Sequence, residues 1–147
     1  MVNLFLGPTH DLSFLYNDEE AIRVTPQEIA TFIMQDEIIA VYNGRSEAGP
    51  RALGNRSILY DPRDINTKET VNKVKKRERF RPFAAAVLKE HANKWFDMSG
   101  LNESPTMSYA VQTKKNKKKL IPGVVHIDGT CRVQTVDKDI PHLYDVI

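Results

Sequence analysis

Residues 44–57, GRSEAGPRALGNRS, constrain this chain more than any other stretch. Gly44, Gly49 and Gly54 stand among Arg45, Arg51 and Arg56, with Pro50 fixing the middle. The apolar run EIIAVYNG before it reads as a strand, and SILYD after it as a second strand closed by Pro62 and Asp64. The stretch is therefore a loop hung on strand ends, where ligand sites of α/β sheets lie. Glycine lets backbone approach a ligand, and arginine offers a planar fork of donors suited to phosphate or carboxylate. On composition alone, a turn held by local salt bridges is an equal reading.

Two further clusters accompany the loop. In KVKKRERFRPF, residues 73–83, Lys73, Lys75, Lys76, Arg77, Arg79 and Arg81 face only Glu78 in opposition. In HIDGTCRVQTV, residues 126–136, Asp128 and Gly129 form a D-G turn between two β-rich runs. At that turn His126, Asp128, Thr130 and Arg132 project from neighbouring strand ends. Each cluster alone is weak, and the three together point to a site for a multiply charged anion.

Composition limits the classes available. The chain has 147 residues, 41% hydrophobic and 27% charged, which suits a globular domain with its own core. A formal net charge of +2 does not by itself make a nucleic-acid binder. Cys131 is the one cysteine, which excludes an internal disulfide and a cysteine-based zinc site. A small buried thiol beside a strand is its economical reading, with a reactive thiol beside Thr130 and Arg132 as the alternative. His10, His91, His126 and His142 are scattered without H-x-x-x-H spacing, so no metal site is expected and His126 reads as a hydrogen-bonded structural histidine. No run approaches membrane-spanning length, and the stretch MVNLFLGPTHDLSF has no basic n-region or small-residue cleavage site, so a cytoplasmic location is expected.

Along the chain, residues 1–24 read as an irregular leader and residues 25–147 as one domain. Thr25, Pro26 and Glu28 form a capping box with proline at the first helical position, and Ile29, Phe32 and Ile33 follow at helical spacing. Residues 66–76 read as a polar helix with Val71 and Val74 inward. FAAAVLKEHANKWF opens as strand and closes as helix, MSYAVQT alternates as a half-buried strand, and KKNKKK reads as an exposed hairpin tip. GVVHI and CRVQTV read as strands flanking Asp128-Gly129. The order predicts an α+β (mixed α/β) fold.

GRSEAGPRALGNRSILYDPRD, VKKRERFRPFA and HIDGTCRVQTV together resemble the C-terminal domain of the NodU/CmcH O-carbamoyltransferases. The resemblance covers roughly residues 25–147, with the motifs in the family's order. It implies a YrdC/Sua5-like domain, a twisted mixed sheet with flanking helices. Such a domain uses ATP, with its Mg²⁺, and carbamoyl phosphate to make a carbamoyl-adenylate. A separate Kae1-like N-terminal domain, carrying the family's catalytic metal, then moves the carbamoyl group to a hydroxyl of the acceptor. Against that pattern the chain lacks the N-terminal domain and stops before a TSFN-like segment. The expectation is a domain incomplete at its C-terminus that works with a Kae1-like domain or a separate chain. An incomplete sheet edge would also favour a homodimer.

The resemblance carries residue by residue. Lys75, Arg77 and Arg81 fall on K-x-R-E-x-F-R-P-F positions, Arg51 on GPRALG, and Arg132 follows HIDGT. It implies Lys75 as a mobile charge on the transferring phosphate, Arg81 as a bidentate clamp, and Arg132 closing the site from another strand. Arg51 would bind phosphate or the carbamoyl oxygen, with Arg45 and Arg56 as second choices. Glu47 and Asp128 are candidates to orient arginines, and Asp128 to help hold Mg²⁺. Two other classes stay open. One is a docking domain without catalysis; the other is a basic nucleic-acid-binding module, which KKNKKK supports poorly because it lacks interleaved aromatics.

Overall fold

A computed structural model describes residues 7–147. Of the stretch read as a leader, residues 1–6 lie outside the described residues. Residues 7–24 hold a short 3₁₀ helix, Ser13–Asn17, and Thr9 forms an isolated β-bridge with Arg45. Helix α1, Pro26–Met34, begins with the capping box that its sequence announces. The Thr25 hydroxyl oxygen accepts from Glu28 N at 3.3 Å, and Thr25 N donates to Glu28 Oε2 at 2.7 Å. Two of the helix's orphan donors are satisfied in this way. Ile29 is its buried residue.

The arginine loop joins two very short strands, β1 (Ile39–Ala40) and β2 (Ile58–Leu59), which pair antiparallel. Val41 N to Ser57 O at 2.8 Å and Asn43 N to Asn55 O at 2.9 Å continue the pairing to the foot of the loop. Helix α2, Thr67–Val74, follows. It buries Thr67, Val71 and Asn72 and leaves Val74 57% exposed, so the expectation that Val74 faces inward is wrong. Asn72 is buried because its side chain ties down the segment that follows, as shown below.

The main sheet has the order β3-β6-β5-β4, built from β3 (Ala84–Leu88), β4 (Phe96–Asp97), β5 (Ala110–Thr113) and β6 (Thr130–Val136). β3 runs parallel to β6; β5 is antiparallel to both β6 and β4. Helix α3, Ala92–Trp95, lies between β3 and β4, and α4, Pro141–Val146, follows β6. The fold is α+β with a mixed sheet. Two expectations fail on the way to β6. GVVHI is not a strand: residues 121–129 run as turns and coil, broken at Pro122-Gly123, so KKNKKK is a turn rather than a hairpin tip. Gly123 sits where a Cβ would lie 2.3 Å from Thr67 Oγ1, a close approach that a regular strand would not make.

Side chains alternate along β6, which divides the core. Cys131 and Val133 join Val87, Phe96, Met98, Val111, Ile121 and Val124 on one face. Val136 packs with Ile140, just before α4, with Leu143 of α4, and with Leu59 and Ala86, on the other. That second face also carries Gln134 and Arg132, in register with Ala86 and Ala84 of β3. Ala110, opposite Arg132 on β5, is exposed, so the covering layer ends near Arg132.

Candidate functional site

The loop at residues 44–57 is built by its own side chains. Glu47 Oε1 accepts from Leu53 N and Asn55 N, both at 2.9 Å, which closes a lobe with Arg51 near its far end. Glu47 Oε2 is buried without a hydrogen-bond partner among the described residues. Thus Glu47 orients backbone rather than an arginine. Gly54 takes φ +128, a conformation open to glycine, and a Cβ added there would lie 3.1 Å from Ile140 Cγ2 and Leu143 Cδ2. Arg56 donates to the carbonyls of Asn43, Asn55 and Gly44, and its guanidinium lies 3.7 Å from the Tyr42 ring centroid. Arg45 Nε donates to Gly7 O at 2.7 Å. Both brace the foot of the loop. Arg51 makes no hydrogen bond, ion pair or ring contact with the described residues, unlike its two neighbours.

The basic segment after α2 hangs on Asn72. Its Nδ2 donates to Arg79 O at 3.1 Å and Arg81 O at 3.0 Å, while Oδ1 accepts from Arg77 Nε. Arg77 also lies 4.6 Å from the centroid of Phe83. Burial, with Arg81 nearby, pulls its guanidinium below the ordinary value. Arg81 pairs with Glu78 at 2.8 Å, both side chains being about half exposed (53% and 54%). Such a pair is worth little in water and can be exchanged for a ligand oxygen. Lys75 caps the end of α2, is exposed, and its side chain has no partner among the described residues.

At the third motif Asp128 Oδ1 accepts from Thr130 N at 2.9 Å and from Thr130 Oγ1 at 2.7 Å. These bonds hold the Asp128 carboxyl below its ordinary value and fix the turn in which Gly129 takes φ +81. His126 Nδ1 lies 3.1 Å from Thr130 Oγ1, and Nε2 lies 3.4 Å from Phe83 O. His126 is therefore a structural strut between the turn and the RPF segment. Arg132 has no side-chain partner among the described residues, and Cys131 is fully buried, its thiol pushed up to about 12 by desolvation.

The three motifs meet. Gln134, 1% exposed, donates from Nε2 to Leu53 O at 2.7 Å and so ties the Arg51 loop to β6. His126 and the Ala84–Arg132 register tie the Arg81 segment to the same strand. Sequence reasoning missed Gln134 and Asn72. The signal available was a primary amide inside an apolar strand or half-apolar helix, where an unpaired amide would be costly. A separate cavity of about 560 Å³ beside β3 is lined by Asp61, Arg63, Val87, His91, Trp95 and Ile147 among others, and by none of the residues named above as ligand candidates. No helix among the described residues is long and apolar enough to cross a membrane.

Known proteins are similar to this chain in sequence. A family model described as "Carbamoyltransferase C-terminus" matches residues 30–147. The nodulation protein NolNO of Sinorhizobium fredii is 47% identical over 117 residues, 78% of this chain and 17% of the relative. NolO of Bradyrhizobium diazoefficiens is 44% identical over 121 residues, 80% of this chain and 22% of the relative. Nodulation protein U of the same organism is 34% identical over 140 residues, 95% of this chain and 24% of the relative. The chain thus spans about a fifth of the length of these curated relatives. With the match covering most of its length, the chain belongs to the carbamoyltransferase C-terminus family.

Proposed function

We propose that this chain supplies the carbamoyl-adenylate-forming part of an O-carbamoyltransferase, taking ATP with Mg²⁺ and carbamoyl phosphate. The supporting observation is the convergence of the three motifs on β6, with Arg51 and Arg132 left without partners among the described residues and the sheet face open at Arg132. Two anions must be brought together in this chemistry, and fixed cations offset their repulsion as charge spreads over phosphoryl oxygens. Arg51 and Arg132 are the fixed pair. Lys75 supplies a mobile charge, and Arg81 trades Glu78 for a phosphate oxygen.

The atoms balance in one way. A carbamoyl oxygen forms a bond to the α-phosphorus of ATP, and pyrophosphate leaves. That oxygen belongs to carbamate, formed when one water cleaves carbamoyl phosphate and releases inorganic phosphate. Positioning supplies most of what the protein contributes. No group of three or more His, Cys, Asp or Glu side chains gathers among the described residues. Mg²⁺ would arrive on ATP, held chiefly by phosphate oxygens and water. Transfer onward to a hydroxyl falls to a Kae1-like domain or a separate chain.

The test is pyrophosphate release from ATP in the presence of carbamoyl phosphate. Lys75→Ala and Arg132→Ala should abolish it with circular dichroism unchanged, and Lys117→Ala should leave it intact. Near-normal release by both site variants would overturn the assignment. Absence of release by the wild-type chain would favour a docking domain, and salt-sensitive binding of arbitrary oligonucleotides a nucleic-acid module.

A further inference from the structure

We infer that Gln134 is a positioning residue that sets the spacing between Arg51 and Arg132, and so lets the site span two linked phosphates. The inference rests on the reading above, that these arginines hold the anionic ligand. Gln134 is among the largest fully buried side chains, at 1% exposure. A buried amide left unpaired would cost about 1–3 kcal/mol, so its one bond into the arginine loop is a strong constraint.

The bond acts on the right peptide. Leu53, two residues beyond Arg51, is 3% exposed; its N–H is held by Glu47 at 2.9 Å and its carbonyl by Gln134 at 2.7 Å. Held at both its N–H and its carbonyl, Leu53 gives the Arg51 lobe no room to slide. Arg132 lies two residues from Gln134 on the same face of β6, about 6.6 Å along the strand. Each arginine is therefore two residues from one hydrogen bond. Other anchors hold the loop elsewhere: His142 Nε2 meets Gly54 O at 3.1 Å from α4, and Asn55 Nδ2 donates to Arg45 O at 2.9 Å within the loop. Gln134 alone of these links the two elements that carry the unpartnered arginines.

The variants separate spacing from mere stability. Gln134→Met keeps the volume and removes the donor. Gln134→Glu keeps the shape; its carboxylate cannot donate, whereas its protonated form can, and burial raises the pH at which it protonates. The probes are inorganic pyrophosphate, which spans two phosphates, and inorganic phosphate, which does not. Gln134→Met should weaken pyrophosphate binding about tenfold, equivalent to about 1.4 kcal/mol, and leave phosphate within about twofold. Gln134→Glu should regain pyrophosphate affinity as the pH falls, relative to Gln134→Met in the same buffers, and this comparison stands even where Gln134→Met does not fold. Equal losses for both probes, no loss, or a Gln134→Glu profile that follows Gln134→Met at every pH would overturn the proposal. A wild-type chain that binds neither probe would instead overturn the underlying reading of the anion site, and the proposal with it.

Discussion

Replacing Gly54 by alanine tests how the arginine loop is seated. Gly54 has φ +128, and a Cβ there would lie 3.1 Å from both Ile140 Cγ2 and Leu143 Cδ2. Gly49, in the same loop, has φ +101 with nothing within 4 Å of the added atom. Gly49→Ala therefore carries backbone strain alone, of order 1–2 kcal/mol. Gly54→Ala adds overpacking against α4. The contacted atoms are methyl ends that give by a few tenths of an ångström, so the addition is about 1 kcal/mol and the total about 2–3 kcal/mol. Urea denaturation followed by circular dichroism measures both, and the slopes should match wild type while the midpoints fall. Equal midpoints for the two variants, or Gly49→Ala the weaker, would refute the claim that the loop is pressed on α4 at Gly54.

The remaining predictions concern other parts of the framework. Asn72→Ala removes three side-chain hydrogen bonds from a residue at 0% exposure; it should cost about 2–4 kcal/mol and speed amide exchange across residues 75–83, and unchanged protection there would contradict the hub role. Hydrogen bonds from Arg63 hold the Asp61 carboxyl below its ordinary 3.8, so its contribution is complete above that value and is lost as the pH falls through the lower folded value. Between about pH 5 and about pH 3 the wild type should lose more stability in urea titrations than Asp61→Asn, and parallel losses would remove Asp61 from the account. Cys131, fully buried with its thiol pushed up to about 12, should resist a disulfide reagent at neutral pH until denaturant is added; rapid native labelling would contradict its burial.

Local signals in the sequence were read well where local physics decides the outcome. The Thr25–Glu28 capping box placed the start of α1 because its partners are three residues apart. The strand-then-helix reading of residues 83–96 holds for the same reason. GVVHI misled because β-branched residues favour strands, whereas here Val124 enters the core from a turn and Gly123 N bonds Pro62 O at 2.9 Å. Val74 misled because helical spacing treats Asn72 as solvent-facing, yet three bonds to the basic segment draw that amide inward. The motifs were visible one at a time. Their meeting was not, since the Leu53–Gln134 bond joins residues 81 positions apart and leaves no periodicity to read.

In the proposed function Arg51, Lys75, Arg81 and Arg132 serve one anion site. Calorimetric titration of the chain with ATP and Mg²⁺, alone and with carbamoyl phosphate present, tests it most directly. Micromolar binding that Arg132→Ala removes, with the fold retained, is the predicted result. No binding at millimolar ligand, or binding that Arg132→Ala leaves untouched, would contradict it.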